Sequence, residues 1–136
     1  MRLALLLAAS LAFTGCTFES LGIDDRTGND EVVLAPGEMK EIGVYRIFLS
    51  EVKDDSRCAV DVVCVWQGDA TAEIGLWVGT GPTHPFTLSL NGTPKSVTFA
   101  GWEVTFLALA PEPRSTEEIE PGDYRARFRV RALPAE

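Results

Sequence analysis

Few residue types in this chain have the kind and spacing that chemistry needs. Cys58 and Cys64 stand with five residues between them in DDSRCAVDVVCVWQGD. That gap is too wide for a C-x-x-C redox pair with a lowered thiol pKa. It suits a structural disulfide if the chain is exported to an oxidising compartment. His84 is the only histidine, so it cannot complete a Cys2His2 metal set, and any Ser-His-Asp arrangement would have to use it. No G-x-S-x-G elbow accompanies it. Asp54, Asp55, Asp61 and Asp69 are hard oxygen donors that suit calcium, but they lack the spacing of an EF-hand loop. Arg125, Arg127, Arg129 and Arg131 alternate in YRARFRVRA. On a strand they fall on one face, about 6.8 Å apart. Such a row suits bidentate contact with phosphate or carboxylate, from lipid phosphates, an anionic envelope polymer or an acidic partner. The competing expectation pairs the row with Glu103 and Thr105 on a neighbouring strand, or makes it the charged guard of an edge strand.

The first sixteen residues, MRLALLLAASLAFTGC, place Arg2 before an apolar run and small residues before Cys16. This is the layout of a secretory signal, too short for a membrane span. Phe13-Thr14-Gly15-Cys16 resembles a bacterial lipobox, with Phe13 where Leu is usual. The resemblance implies cleavage before Cys16, acylation of its sulfur and anchoring in a lipid bilayer. By resemblance to lipoprotein sorting in double-membrane bacteria, Thr17 rather than Asp implies the outer membrane. Lipidation of Cys16 would also leave Cys58 and Cys64 as an even pair. Removing residues 1–15 takes away Arg2 alone and leaves 121 residues with a net charge of -9. Residues 16–30 then read as the lipidated cysteine and a flexible tether, spanning about 20 Å.

Residues 31–136 read as one all-β domain. Turn signals recur at Ala35-Pro36-Gly37, Gly79-Thr80-Gly81-Pro82, Asn91-Gly92, Pro111-Glu112-Pro113 and Pro121-Gly122-Asp123. The runs between them predict strands over 31–35, 38–42, 44–53, 70–78, 84–90, 95–99, 102–110 and 123–132. Two runs alternate strictly. Ala70, Ala72, Ile74, Leu76 and Val78 share one face, as do Tyr124, Ala126, Phe128, Val130 and Ala132. The run 44–53 is apolar on both faces, as a central strand would be. The pattern predicts an antiparallel β-sandwich, with an immunoglobulin-like fold or a small barrel as alternatives, and one internal disulfide. Trp66 is expected to pack on that bridge, and Gly68 to take a positive φ before the next strand.

The stretch DSRC-x5-CVW-x-G resembles a signature of small bacterial secreted proteins and lipoproteins to which no activity is assigned. A proline often follows the first cysteine in that family, where this chain has Ala59. Ala108 to Pro113, followed by Tyr124, is similar to the same family. The resemblance spans most of residues 31–132. It implies an exported β-domain and carries no mechanism.

The chain has 136 residues and a formal charge of -8. An acidic chain of this size lacks the basic footprint of a general nucleic-acid binder. With no positioned base and nucleophile, the expectation is a non-enzymatic envelope lipoprotein without cofactor or metal, serving in binding or structural support. Two alternatives remain. One is a protease inhibitor presenting a loop such as 79–85 or 111–122. The other is a small envelope hydrolase dependent on His84 or a carboxylate.

Overall fold

The computed structural model describes residues 29–135. The proposed signal segment, Cys16 and nearly all of the tether lie outside them. Among the described residues eight strands are present: β1 Asn29–Leu34, β2 Met39–Ile42, β3 Tyr45–Asp55, β4 Ala70–Val78, β5 His84–Ser89, β6 Ser96–Phe99, β7 Trp102–Ala110 and β8 Arg125–Ala132. Each overlaps a strand expected from the turn and alternation pattern. The domain begins earlier than that pattern suggests. Asn29 and Asp30 pair with Arg131 and Val130, so the end of the supposed tether is already strand.

The strands form two antiparallel four-stranded sheets, ordered β1-β8-β7-β6 and β2-β3-β4-β5. Strands 2 to 5 form one meander and strands 6 to 8 another, with β1 closing on β8. At the open seams β5 touches β6 and β1 touches β2. The molecule is therefore a sandwich whose connections follow an up-and-down ring. Among the described residues it has none of the Greek-key crossovers of the immunoglobulin alternative. The edges are protected in familiar ways: β2 and β6 are short, and β5 carries Pro85.

The inward face of every long strand supplies the core. Ile47 and Leu49 come from β3, and Ala72, Ile74 and Leu76 from β4. Val104 and Phe106 come from β7, and Ala126, Phe128 and Val130 from β8. The rings of Phe106 and Phe128 stack with centroids 5.1 Å apart at its centre. β3 is interior, as its two apolar faces imply. A bulge between Phe106 and Ala108 shifts the register of β7. It turns Leu109 into the core in place of Ala108, which simple alternation would have buried.

The sandwich has two poles. At one, Asn29 enters, Leu133 N–H donates to Gly101 O at 2.8 Å, and Tyr45 packs on Trp102 with centroids 4.3 Å apart. At the other, β3, β7 and β8 converge on the segment that carries the disulfide.

Candidate functional site

β3 ends at Asp55, opposite Ala70, and the chain leaves the sheet as a loop over 56–69. Two backbone bonds prolong the antiparallel pairing into the loop. Ser56 N–H donates to Asp69 O at 2.7 Å, and Cys58 N–H donates to Gln67 O at 2.8 Å. Gly68 has φ +70°, and a Cβ there would collide with the Ser56 carbonyl. The approach of the two arms thus requires glycine for space as well as for conformation. Beyond this neck, Cys58 and Cys64 are disulfide-bonded across a Cα–Cα distance of 6.0 Å.

An ion pair anchors the neck. The Arg57 guanidinium grips the Asp55 carboxylate through two bonds of 2.7 Å. It also donates to Leu109 O at 2.6 Å and to Pro111 O at 3.0 Å. The Tyr124 hydroxyl donates to the same carboxylate at 3.0 Å. One charge pair therefore ties the ends of β3 and β7 to the start of β8. Its side chains are about nine-tenths buried. Burial opposes ionisation of Asp55, but Arg57 and Tyr124 outweigh it and hold the carboxyl below its usual range. Tyr124 is pushed up to about 12, first by burial and then by the neighbouring carboxylate.

A second knot closes the far arm. Asp69 accepts from Ala70 N–H at 2.8 Å, from Asn91 N–H at 2.7 Å and from the Ser89 hydroxyl. Burial again resists the charge, and these donors keep the carboxyl low. A Cβ on Gly92 would sit 2.7 Å from Asp69, so the Asn91-Gly92 turn is also bound to this arrangement. On the near side Val60 N–H donates to Pro113 O at 3.0 Å. Ser115 donates to Asp61 from its backbone N–H at 2.9 Å and its hydroxyl at 2.6 Å, which lowers the Asp61 carboxyl.

With its base fixed, the loop leaves its apolar side chains outside. Among the described residues, five of the eight exposed large apolar side chains are Val60, Val62, Val63, Val65 and Trp66. Val63 and Val65, on either side of Cys64, are fully exposed, and Trp66 is 66% exposed. Trp66, expected to pack on the bridge, leaves about two-thirds of its surface exposed. Gly68 takes its expected positive φ. What sequence reading missed was the exposure of the valines. The run CAVDVVCVW has the composition of a core strand, and only its lack of partners reveals otherwise.

The four aspartates considered for calcium are dispersed. Asp55, Asp61 and Asp69 serve three different contacts, and Asp54 accepts from Thr71 at 3.4 Å. No cluster of three potential metal ligands occurs among the described residues. His84 opens β5, exposed, with its ring 5.0 Å from Phe99 at the opposite pole.

The arginine row does lie on one face of β8 and is exposed. Since β8 sits between β1 and β7, the row is not an edge guard, and that expectation is corrected. Arg131 meets Glu103 at 2.6 Å, as register pairing predicts. Arg129 and Arg127 share Glu31 on β1 at 3.2 and 3.8 Å. Arg125 donates to the carbonyls of Gly122 and Tyr124. Thr105 stands opposite Arg129 in register. Three of the four guanidiniums thus already face carboxylates.

Comparison with known protein families, curated proteins and solved structures finds no match.

Proposed function

We propose that this chain is an exported cell-envelope lipoprotein, anchored in a bilayer through Cys16, whose β-sandwich is a non-catalytic binding module. The contact surface is the disulfide loop. The observation that carries this reading is the concentration of exposed apolar side chains on one covalently closed, hydrogen-bonded loop. Monomeric proteins scatter such residues singly, and a contiguous group marks a place that becomes covered. Each valine covered on contact contributes on the order of 1.5 kcal/mol. A pre-ordered loop also avoids much of the ordering cost of binding. The arginine face ranks lower as a contact surface, because Glu31 and Glu103 occupy much of its charge.

The experiment places a photoreactive phenylalanine analogue at Val63, at Val65 and, as control, at exposed Val44 in the opposite half of the molecule. The full chain is irradiated in intact cells that export it. Discrete adducts from 63 and 65 but not from 44 are expected. Equal yields from all three positions, or none from the loop, would overturn the loop as contact surface. The anchor is tested separately with an alkyne-labelled fatty acid. The label should disappear in Cys16→Ala.

A further inference from the structure

We infer that the disulfide pole docks on a protein whose apolar pocket is ringed by lysine or arginine. This rests on the reading of the loop as a contact surface and adds the chemistry of what covers it. The segment 111–123 packs against the loop through the Val60–Pro113 and Asp61–Ser115 bonds. It carries Glu112, Glu117, Glu118, Glu120 and Asp123, all exposed, against Arg114. The apolar tip therefore has an acidic rim along one side. Arg57 is neutralised by Asp55, and Arg114 and Arg125 offset only two of the five acidic charges, so the segment stays net negative.

Complementarity selects among the three occupants an apolar tip can have. A bilayer surface is zwitterionic or anionic, and anionic headgroups repel this rim while the loop offers no free cation to hold them. A second copy joined tip to tip would bring two acidic rims together, a like-charge contact that costs rather than stabilises. A protein pocket with a basic border satisfies both parts of the surface at once. The position of the loop agrees. Asn29 lies at the opposite pole, so the proposed anchor through Cys16 would hold the domain by the end away from the tip.

The test keeps the crosslinker at Val63 in the full chain and adds Glu117→Gln, Glu118→Gln and Glu120→Gln. The side chains of these residues are exposed and make no hydrogen bond among the described residues, so the variant is expected to unfold at the same urea concentration as its parent. Irradiation is carried out in isolated envelopes at low and at 0.5 M NaCl. The expected result is a protein adduct at low salt whose yield falls about tenfold in the triple variant, and falls likewise on adding salt to the parent. A protein adduct insensitive to both changes would overturn the basic border while leaving the loop as contact surface. An adduct of two copies of the chain would overturn it in favour of self-association. Purified protein is also mixed with phosphatidylglycerol vesicles, with Trp66 fluorescence as readout. A blue shift with co-sedimentation would overturn the inference in favour of a bilayer, and no shift is expected. Absence of any adduct from Val63 and Val65 would remove the contact surface itself.

Discussion

Where the chain enters the sandwich, at Asn29, the pole is closed by rings; at the opposite pole it is closed by charge and a covalent bond. Tyr45 rests on Trp102, and His84 and Phe86 on Phe99. The cleft left between the rings is about 20 Å3, room for a single water and for no ligand. Order there comes from covering apolar surface, so the apolar side chains are spent on the inside. At the disulfide pole order comes from the Asp55–Arg57–Tyr124 contact, the Asp69 knot and the Cys58–Cys64 bond. None of these needs the valines of the loop. The difference shows how a small domain keeps an apolar loop exposed and still holds its shape.

Gly68→Ala should cost at least about 3 kcal/mol, since it combines a positive φ with a backbone collision. Urea unfolding measures it, and a loss below about 1 kcal/mol would mean that the neck is not close-packed. Arg57→Ala strands a largely buried carboxylate and should cost about 3 kcal/mol. Pairing Arg57→Met with Asp55→Asn should recover part of that loss in a double-mutant cycle. Reduction of Cys58–Cys64, or replacement of both by serine, should cost roughly 2 kcal/mol for so short a loop. The rings at the other pole should be unaffected, as near-ultraviolet circular dichroism can show. Tyr45→Phe, which removes the bond to Ala100 O but keeps the ring, should cost about 1 kcal/mol or less. Val63→Ser should change stability by no more than about 0.5 kcal/mol, while lowering adduct yield from a crosslinker at Val65. A large loss of stability would mean that the tip is needed for folding.

The pH dependence separates the poles as well. Asp55 and Asp69 are held low, so their contribution is present above the ordinary carboxylate value of 3.8 and disappears as pH falls through their folded values. Tyr124 is raised, so its contribution is present below its ordinary value of 10.0 and is lost as pH climbs towards about 12. Tyr124→Phe should flatten the alkaline limb of stability between those values. Both limbs belong to the disulfide pole, and unfolding followed from pH 2 to 12 tests them.

Much of the fold was legible because turn chemistry and period-2 alternation are local. Pro36-Gly37 and Asn91-Gly92 announce their turns, and Ala126, Phe128 and Val130 announce a buried face whatever they pack against. The bulge at Leu107 was not legible, because either of two registers of WEVTFLALA buries apolar side chains. Pairing with β8 chooses between them. The candidate site was half legible. Cys58, Cys64 and Gly68 stood out by type. Arg57 looked like one charge among many, since the Leu109 and Pro111 carbonyls that fix it beside Asp55 lie more than fifty residues away.

Sequence alone thus determined the all-β class, the strand positions and the candidate disulfide pair, because side-chain period and turn residues act over a few positions. It also placed the four arginines on one face, for the same reason. Tertiary structure decided that β8 is interior, that Glu31 and Glu103 meet its arginines, and that CAVDVVCVW stays outside. Composition cannot separate a buried valine from an exposed one. That depends on whether another strand is present to cover it, and here the neck built by Asp55, Arg57 and Gly68 holds the loop beyond the end of both sheets.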